Sequence, residues 1–134
     1  MQKIERVKSD GEIIAIIVRG SLDVEGISFV SPPDFSQQLG LISRKKDYEI
    51  KPHIHKLVSR EVSITQEVLH IQSGKIEVTL YNKNKKKIRS VGLVAGDTIL
   101  LASGGHGIRF LEDSRILEIK QGPYSGIQGD KEHF

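Results

Sequence analysis

Apolar and polar residues alternate along most of this chain, in short runs separated by turn signals. Ile4–Val7 and Glu12–Arg19 read as two strands around the turn Ser9-Asp10-Gly11. The second, EIIAIIVR, is rich enough in isoleucine to predict burial on both faces. Gly20 to Pro33 reads as a loop that covers one end of a barrel or joins a partner subunit. Phe35–Ser43 reads as a strand holding the adjacent glutamines Gln37 and Gln38, one facing in and one out. After the charged turn Arg44–Asp47, strands are expected over Tyr48–His55, Arg60–Gln66 and Glu67–Gln72, with a shift of apolar phase near Gln66 that predicts a bulge or bend. The turn Ser73-Gly74 then leads to KIEVTLY, Lys75–Tyr81. Further strands follow over Ile88–Leu93, Thr98–Ala102, Ile108–Leu111 and Arg115–Lys120. The tail QGPYSGIQGDKEHF is too rich in glycine and polar residues for a regular element, apart from Pro123-Tyr124.

No segment keeps a helical period, and there is no βαβ alternation or internal repeat. The pattern predicts an all-β chain, an antiparallel barrel or jelly roll. At 134 residues one domain is expected, 1–134. Its barrel core would run from about 35 to 121, with N-terminal strands over 1–34 and a tail over 122–134.

Composition narrows the chemistry. There is no cysteine, which removes disulfides, thiolate zinc sites and thiol nucleophiles. The net charge of +3 is local: Lys83, Lys85, Lys86, Lys87 and Arg89 surround one polar turn and read as a solvated hairpin tip. Aromatic residues make up 5% of the chain and no RNA-binding motif accompanies the lysines, so no nucleic-acid partner is expected. The run Ile13–Val18 is far too short to cross a membrane, and the N-terminus lacks a signal-peptide core. The default expectation is a cytoplasmic protein without a membrane partner.

One stretch concentrates the candidate chemistry: KPHIHKLVSREVSITQEVLHIQSG, residues 51–74. In a strand, His53 and His55 project to the same face. With Glu67 on the following strand they supply three ligands of the type that holds a divalent metal. Downstream, Ser103-Gly104-Gly105-His106-Gly107 adds another imidazole. The competing reading packs these histidines in the barrel with no metal, but His-x-His with a carboxylate and a downstream Gly-Gly-His weighs toward a metal. His70 has the opposite parity to Glu67 and reads as a structural histidine.

These residues resemble the first and second motifs of the cupin superfamily of small β-barrels, over Tyr48 to Lys120. His53, His55, Glu67 and Gly74 are similar to the first motif, including the six residues between Glu67 and Gly74. Gly96, Ala102-Ser103-Gly104 and His106 are similar to the second. Asp47 stands at the leading glycine, Ala102 at the proline, His106 comes one residue early, and eleven residues separate His55 from Glu67 where three or four are usual. The run TQEVLHIQSGK, with GDTILLASGGHG and KQGPY, looks like small bacterial cupins associated with sugar or surface-polysaccharide metabolism. The resemblance implies a double-stranded β-helix barrel and one divalent metal ion, Zn, Fe, Mn, Ni or Co, held by His53, His55, Glu67 and His106.

Five residues are candidates for contact with a small-molecule ligand. Gln37 lines a pocket or satisfies backbone groups. Lys51 shares parity with the two histidines, though lysines at strand ends extend to solvent. Arg60 clamps an anion or is a surface residue. Lys120 and Glu118 share one face of the last strand, either as an interior pair near the site or as a surface pair. Tyr124, after the turn at Pro123, caps the barrel mouth. The functional expectation is a metal-dependent enzyme on a small polar metabolite such as a sugar derivative, isomerase- or epimerase-like. The alternatives are a non-catalytic metal- or ligand-binding module, an iron-dependent dioxygenase, and a metal-free epimerase using His53 or His106 as base. An open edge strand and the N-terminal segment point to a homodimer.

Overall fold

Alternating strands bury one face only if a second layer covers it, and that requirement organises the chain. The computed structural model, which describes residues 2–134, is all-β and antiparallel, with ten strands and one short helical turn among those residues. Strands β1 (Ile4–Ser9), β2 (Glu12–Val18), β5 (Glu67–Ser73), β8 (Thr98–Leu101) and β10 (Arg115–Lys120) form a five-stranded sheet in the order β1-β2-β8-β5-β10. Strands β6 (Lys75–Tyr81), β7 (Lys87–Val94) and β9 (Gly105–Phe110) form a three-stranded sheet, β7-β6-β9. A two-stranded ribbon pairs β3 (Gly26–Phe29) with β4 (Gly40–Ser43).

The main core lies between the two larger sheets. Ile17, Leu69, Ile71 and Ile99 from one sheet meet Ile76, Val78, Leu80 and Leu93 from the other. A second apolar cluster covers the opposite face of the five-stranded sheet, where Ile16, Val68 and Leu100 pack with Val30, Leu22, Phe35 and Leu39. Strand β2 feeds both clusters, which is why its isoleucine run does not alternate with polar residues. The N-terminal strands are thus built into the main sheet, with β2 paired directly to β8.

Two glycines are required where they stand. Gly74, in the turn between β5 and β6, has φ +86, and a Cβ there would meet the Ser114 side chain and the Asp113 carbonyl. Gly20 lies so close to Gly96 that a Cβ would come within 2.8 Å of its backbone. Beside that contact, Asp97 accepts hydrogen bonds from the N–H of Gly20 at 2.9 Å and of Val94 at 3.0 Å, and from Arg19 Nη1 at 3.1 Å. One buried carboxylate thereby ties the end of β2 to the β7–β8 turn.

Several segments differ from the expectation. Residues 20–33 contain β3, which pairs with β4; their Leu22 and Val30 cover the outer face of the main sheet. Only Gly40–Ser43 of the 35–43 run is a strand. Upstream, the Gln38 Nε2 donates to the carbonyls of Pro32 and Phe35 and holds a turn in place of a ladder. The tail holds one helical turn, α1 (Ile127–Asp130), tethered by an ion pair from Asp130 to Lys120 at 3.1 Å. Of the bulge or bend expected near Gln66, the structure has a bend at Ile64 ahead of the strand boundary at Glu67, while the register shifts fall at Val7/Lys8, Leu80/Tyr81 and Arg115/Ile116.

The largest difference lies between β4 and β5. Neither Tyr48–His55 nor Arg60–Gln66 forms a strand, and residues 42–65 are exposed throughout. A strand exists only where a neighbour accepts its ladder of hydrogen bonds, and residues 44–65 pair with none of the described strands.

Candidate functional site

The two sheets bring together residues far apart in the chain. Glu67 opens β5, opposite Lys120 of β10 and Leu101 of β8. It shares the inner face with Leu69 and Ile71. His106 lies near the start of β9, opposite Leu80, and so also faces inward. Its Nε2–H donates to Glu67 Oε1 at 2.6 Å, across the gap between the sheets.

This contact stands in the wall of a cavity of about 410 Å³. Lys120 and Thr65 share the wall, and Asp130–Phe134 of the tail close one side. The tail is held by Lys120–Asp130, by Lys85–Glu132 at 2.8 Å, and by Phe134, whose ring meets Tyr81 edge-on at 5.0 Å.

The electrostatics follow from this packing. The hydrogen bond from His106 holds the Glu67 carboxyl down at about 2 against the opposing effect of burial, with Glu118 and the Lys120 charge helping. Glu118 moves the other way. Its pKa is raised, first because it shares a hydrogen bond with the ionised Glu67 and then by partial burial. Glu67 is therefore an ionised acceptor aimed into a cavity, with a neighbouring carboxyl that keeps its proton more readily. Lys120 and Lys131 are the lysines of this wall, and the pKa of Lys120 is raised by its bond to Asp130.

The sequence-derived residues divide into two groups. Glu67, His106 and Lys120 meet at the cavity. Glu118 joins them, so the polar face of β10 is the inner one. His53, His55, Lys51 and Arg60 are all exposed on the arm. The two imidazoles stand edge-to-face with centroids 5.3 Å apart, and His53 Nδ1 contacts the Lys51 carbonyl at 2.8 Å. Among the described residues, no three His, Cys, Asp or Glu side chains are grouped to hold a metal.

Gln37 is half-buried away from the cavity, and its backbone N–H donates to Gln66 Oε1 at 3.1 Å. Tyr124 does not cap the cavity: its ring is 65% exposed and lies 5.4 Å from the Lys120 ammonium. The capping role falls to Asp130–Phe134, which sequence reasoning missed because a glycine-rich tail carries no periodicity. His70 is a satisfied structural residue, with Nδ1 2.9 Å from Thr98 Oγ1.

Compared with known proteins, the chain matches no family model, no curated protein and no solved structure. No helix among the described residues is long and apolar enough to cross a membrane.

Proposed function

We propose that this chain is a cupin-type metal-binding barrel whose Glu67 and His106 belong to a divalent-metal centre completed by His53 and His55. The observation that carries this reading is the 2.6 Å approach of His106 Nε2 to Glu67 Oε1 at the cavity wall. A carboxylate held ionised and an imidazole nitrogen, converging from opposite sheets, form half of a mixed nitrogen–oxygen donor set. That set suits Zn, Fe, Mn, Ni or Co.

A metal held there would supply Lewis-acid polarisation of a carbonyl or hydroxyl oxygen. The chain's own residues supply the rest. Ionised Glu67 favours a cation at the cavity wall. Lys120 offers a charge to an anionic or hydroxyl-bearing ligand, and Glu118, whose pKa is raised, stands beside it. To hold a metal, His106 Nε2 would have to carry no proton, with the ring's proton on Nδ1. With one polar wall and a volume near 410 Å³, the cavity suits a small polar metabolite such as a sugar derivative.

Elemental analysis of the purified or reconstituted protein tests the centre, with about one divalent metal per chain expected. Glu67→Ala and His106→Ala should each lose the metal and keep the β-rich circular dichroism spectrum. Metal-free wild type after reconstitution, or full metal content in both variants, would remove the reading.

A further inference from the structure

The arm and the open side of the sandwich are complementary, and the chain carries both. On β9, His106, Ile108 and Phe110 lie opposite Leu80, Val78 and Ile76, all fully buried. They therefore face the interior, yet Ile108 is 39% and Phe110 56% exposed. Inward-facing apolar residues are exposed only where the layer that should cover them is missing. Strand β9 pairs with β6 alone and β10 with β5 alone, so both sheets end in unpaired edges beside the cavity.

The arm has what that edge lacks. Its ends lie along its own body, with Arg44–Tyr48 beside Val24–Gly26 and Glu61–Ile64 beside Pro32–Ser36. Between them, the hydrogen bonds and ring contacts of residues 49–60 are internal among the described residues. Ile54 is 92% and Leu57 103% exposed, and Tyr48, Ile50 and Val58 are each more than half exposed. A segment alternating as YEIKPHIH with no layer beneath it is a strand without a sheet. In extended conformation it places Lys51, His53, His55 and Leu57 on one face.

We propose that this arm is exchanged between two copies of the chain. Residues 48–58 of one copy add as an antiparallel strand to the free β9 edge of the other, which delivers His53 and His55 to the Glu67–His106 pair of the partner. The occupant is a second copy because donor segment and acceptor edge lie on the same molecule while, among the described residues, 49–60 make no hydrogen bond to their own body. Reciprocal exchange about a two-fold axis then satisfies both edges and closes the assembly. The arm also carries six Lys or Arg residues against two acidic ones over 44–60, and the cavity wall holds Glu67, Asp130 and Glu132 against Lys120 and Lys131, with Glu118 beside Glu67. The metal centre, if present, is then shared between subunits. That last step rests on the proposed function; the exchange does not.

The absence of native cysteine gives a test independent of metal. In the double variant His53→Cys/His106→Cys, mild oxidation of the metal-free protein should yield a covalent dimer on non-reducing electrophoresis, and wild type should have a dimeric mass by light scattering. An internally cross-linked monomer of that variant, or a monomeric wild type with a variant that forms no cross-link, would overturn the exchange. A second arm uses metal content. His53→Ala/His55→Ala and Glu67→Ala/His106→Ala should each lack metal alone, and after unfolding and refolding together should recover about a quarter of the wild-type content, one intact site in each mixed dimer. No recovery, with metal present in wild type, would place all ligands in one chain and overturn the exchange. A covalent dimer of the double cysteine variant, together with a wild type that binds no metal, would retain the exchange and remove the metal reading.

Discussion

The interior between the two sheets and the arm over residues 42–65 have similar alternating sequences and opposite fates. In KIEVTLY every second residue, Ile76, Val78 and Leu80, is buried beneath a facing sheet. In YEIKPHIH the same period leaves every residue exposed. The difference is not propensity, since both runs carry β-branched and aromatic residues suited to a pleated surface. It is whether a neighbour lies within ladder distance and a second layer lies above. Periodicity states which face an element would bury; topology decides whether there is anything to bury it against.

The strongest way to break this contrast is to remove a group that the interior half depends on. Asp97 accepts three hydrogen bonds, one of them from the largely buried Arg19. Asp97→Ala leaves that guanidinium with only Glu5 at 3.8 Å and the Gly92 carbonyl. A loss of about 3–5 kcal/mol in urea unfolding is expected, the usual cost of stripping one partner from a buried ion pair. A change under about 1 kcal/mol would mean that the β2 end and the β7–β8 turn are held by packing alone.

Next in size is the core itself. Ile71→Ala removes a fully buried side chain from the centre of β5 and should cost about 2–5 kcal/mol by the same measurement. If Ile54→Ala on the arm cost as much in monomeric protein, the arm would be packed on its own chain and the contrast would fail.

How far the sequence could be read follows the same division. The ladders of β5, β6, β7, β8 and β10 were legible to within a residue or two, because each alternates and is closed by a turn signal such as Ser73-Gly74 or Ala95-Gly96-Asp97. Glu67 and His106 were put in one site only by the resemblance of their surroundings to the two cupin motifs. The arm was not legible. Tyr48–His55 has the composition of a strand, and nothing local reveals that its partner edge is absent from its own side of the fold. The β3–β4 ribbon and the tail cap were missed for a different reason: Gly26–Phe29 is only four residues long, and Asp130–Phe134 is placed by ion pairs at long sequence separation. Patterns of period two carry no information about such contacts.

Acid sharpens the comparison at the boundary between the two regions, where Glu67 begins the first strand after the arm. Glu67 titrates near 2 in the folded chain and at its ordinary 4.5 when unfolded. Between these values the unfolded chain binds more protons, so stability rises with pH through that window and is lost as pH falls from 4.5 toward 2. In metal-free protein, wild type should exceed Glu67→Gln by roughly 1–2 kcal/mol at pH 5–6, the size of one charge-assisted hydrogen bond. The two should converge near pH 2. Parallel curves across the window would show that Glu67 does not owe its ionisation to the fold.

The smallest effect on the single chain, and the most informative about the arm, is expected from Leu57→Ser. Its side chain is wholly exposed, so unfolding of dilute, monomeric protein should shift by less than about 0.5 kcal/mol. Concentrated protein should behave differently if Leu57 is covered by a second copy, because dimerisation makes the melting temperature rise with concentration. In wild type that rise should be present, and in Leu57→Ser it should be reduced. Ile71→Ala should lower the curve at every concentration and keep its slope. If wild type melts at the same temperature from the lowest to the highest concentration, the exposed face of the arm is covered by no second copy, and the two halves of the molecule differ for some reason other than a missing neighbour.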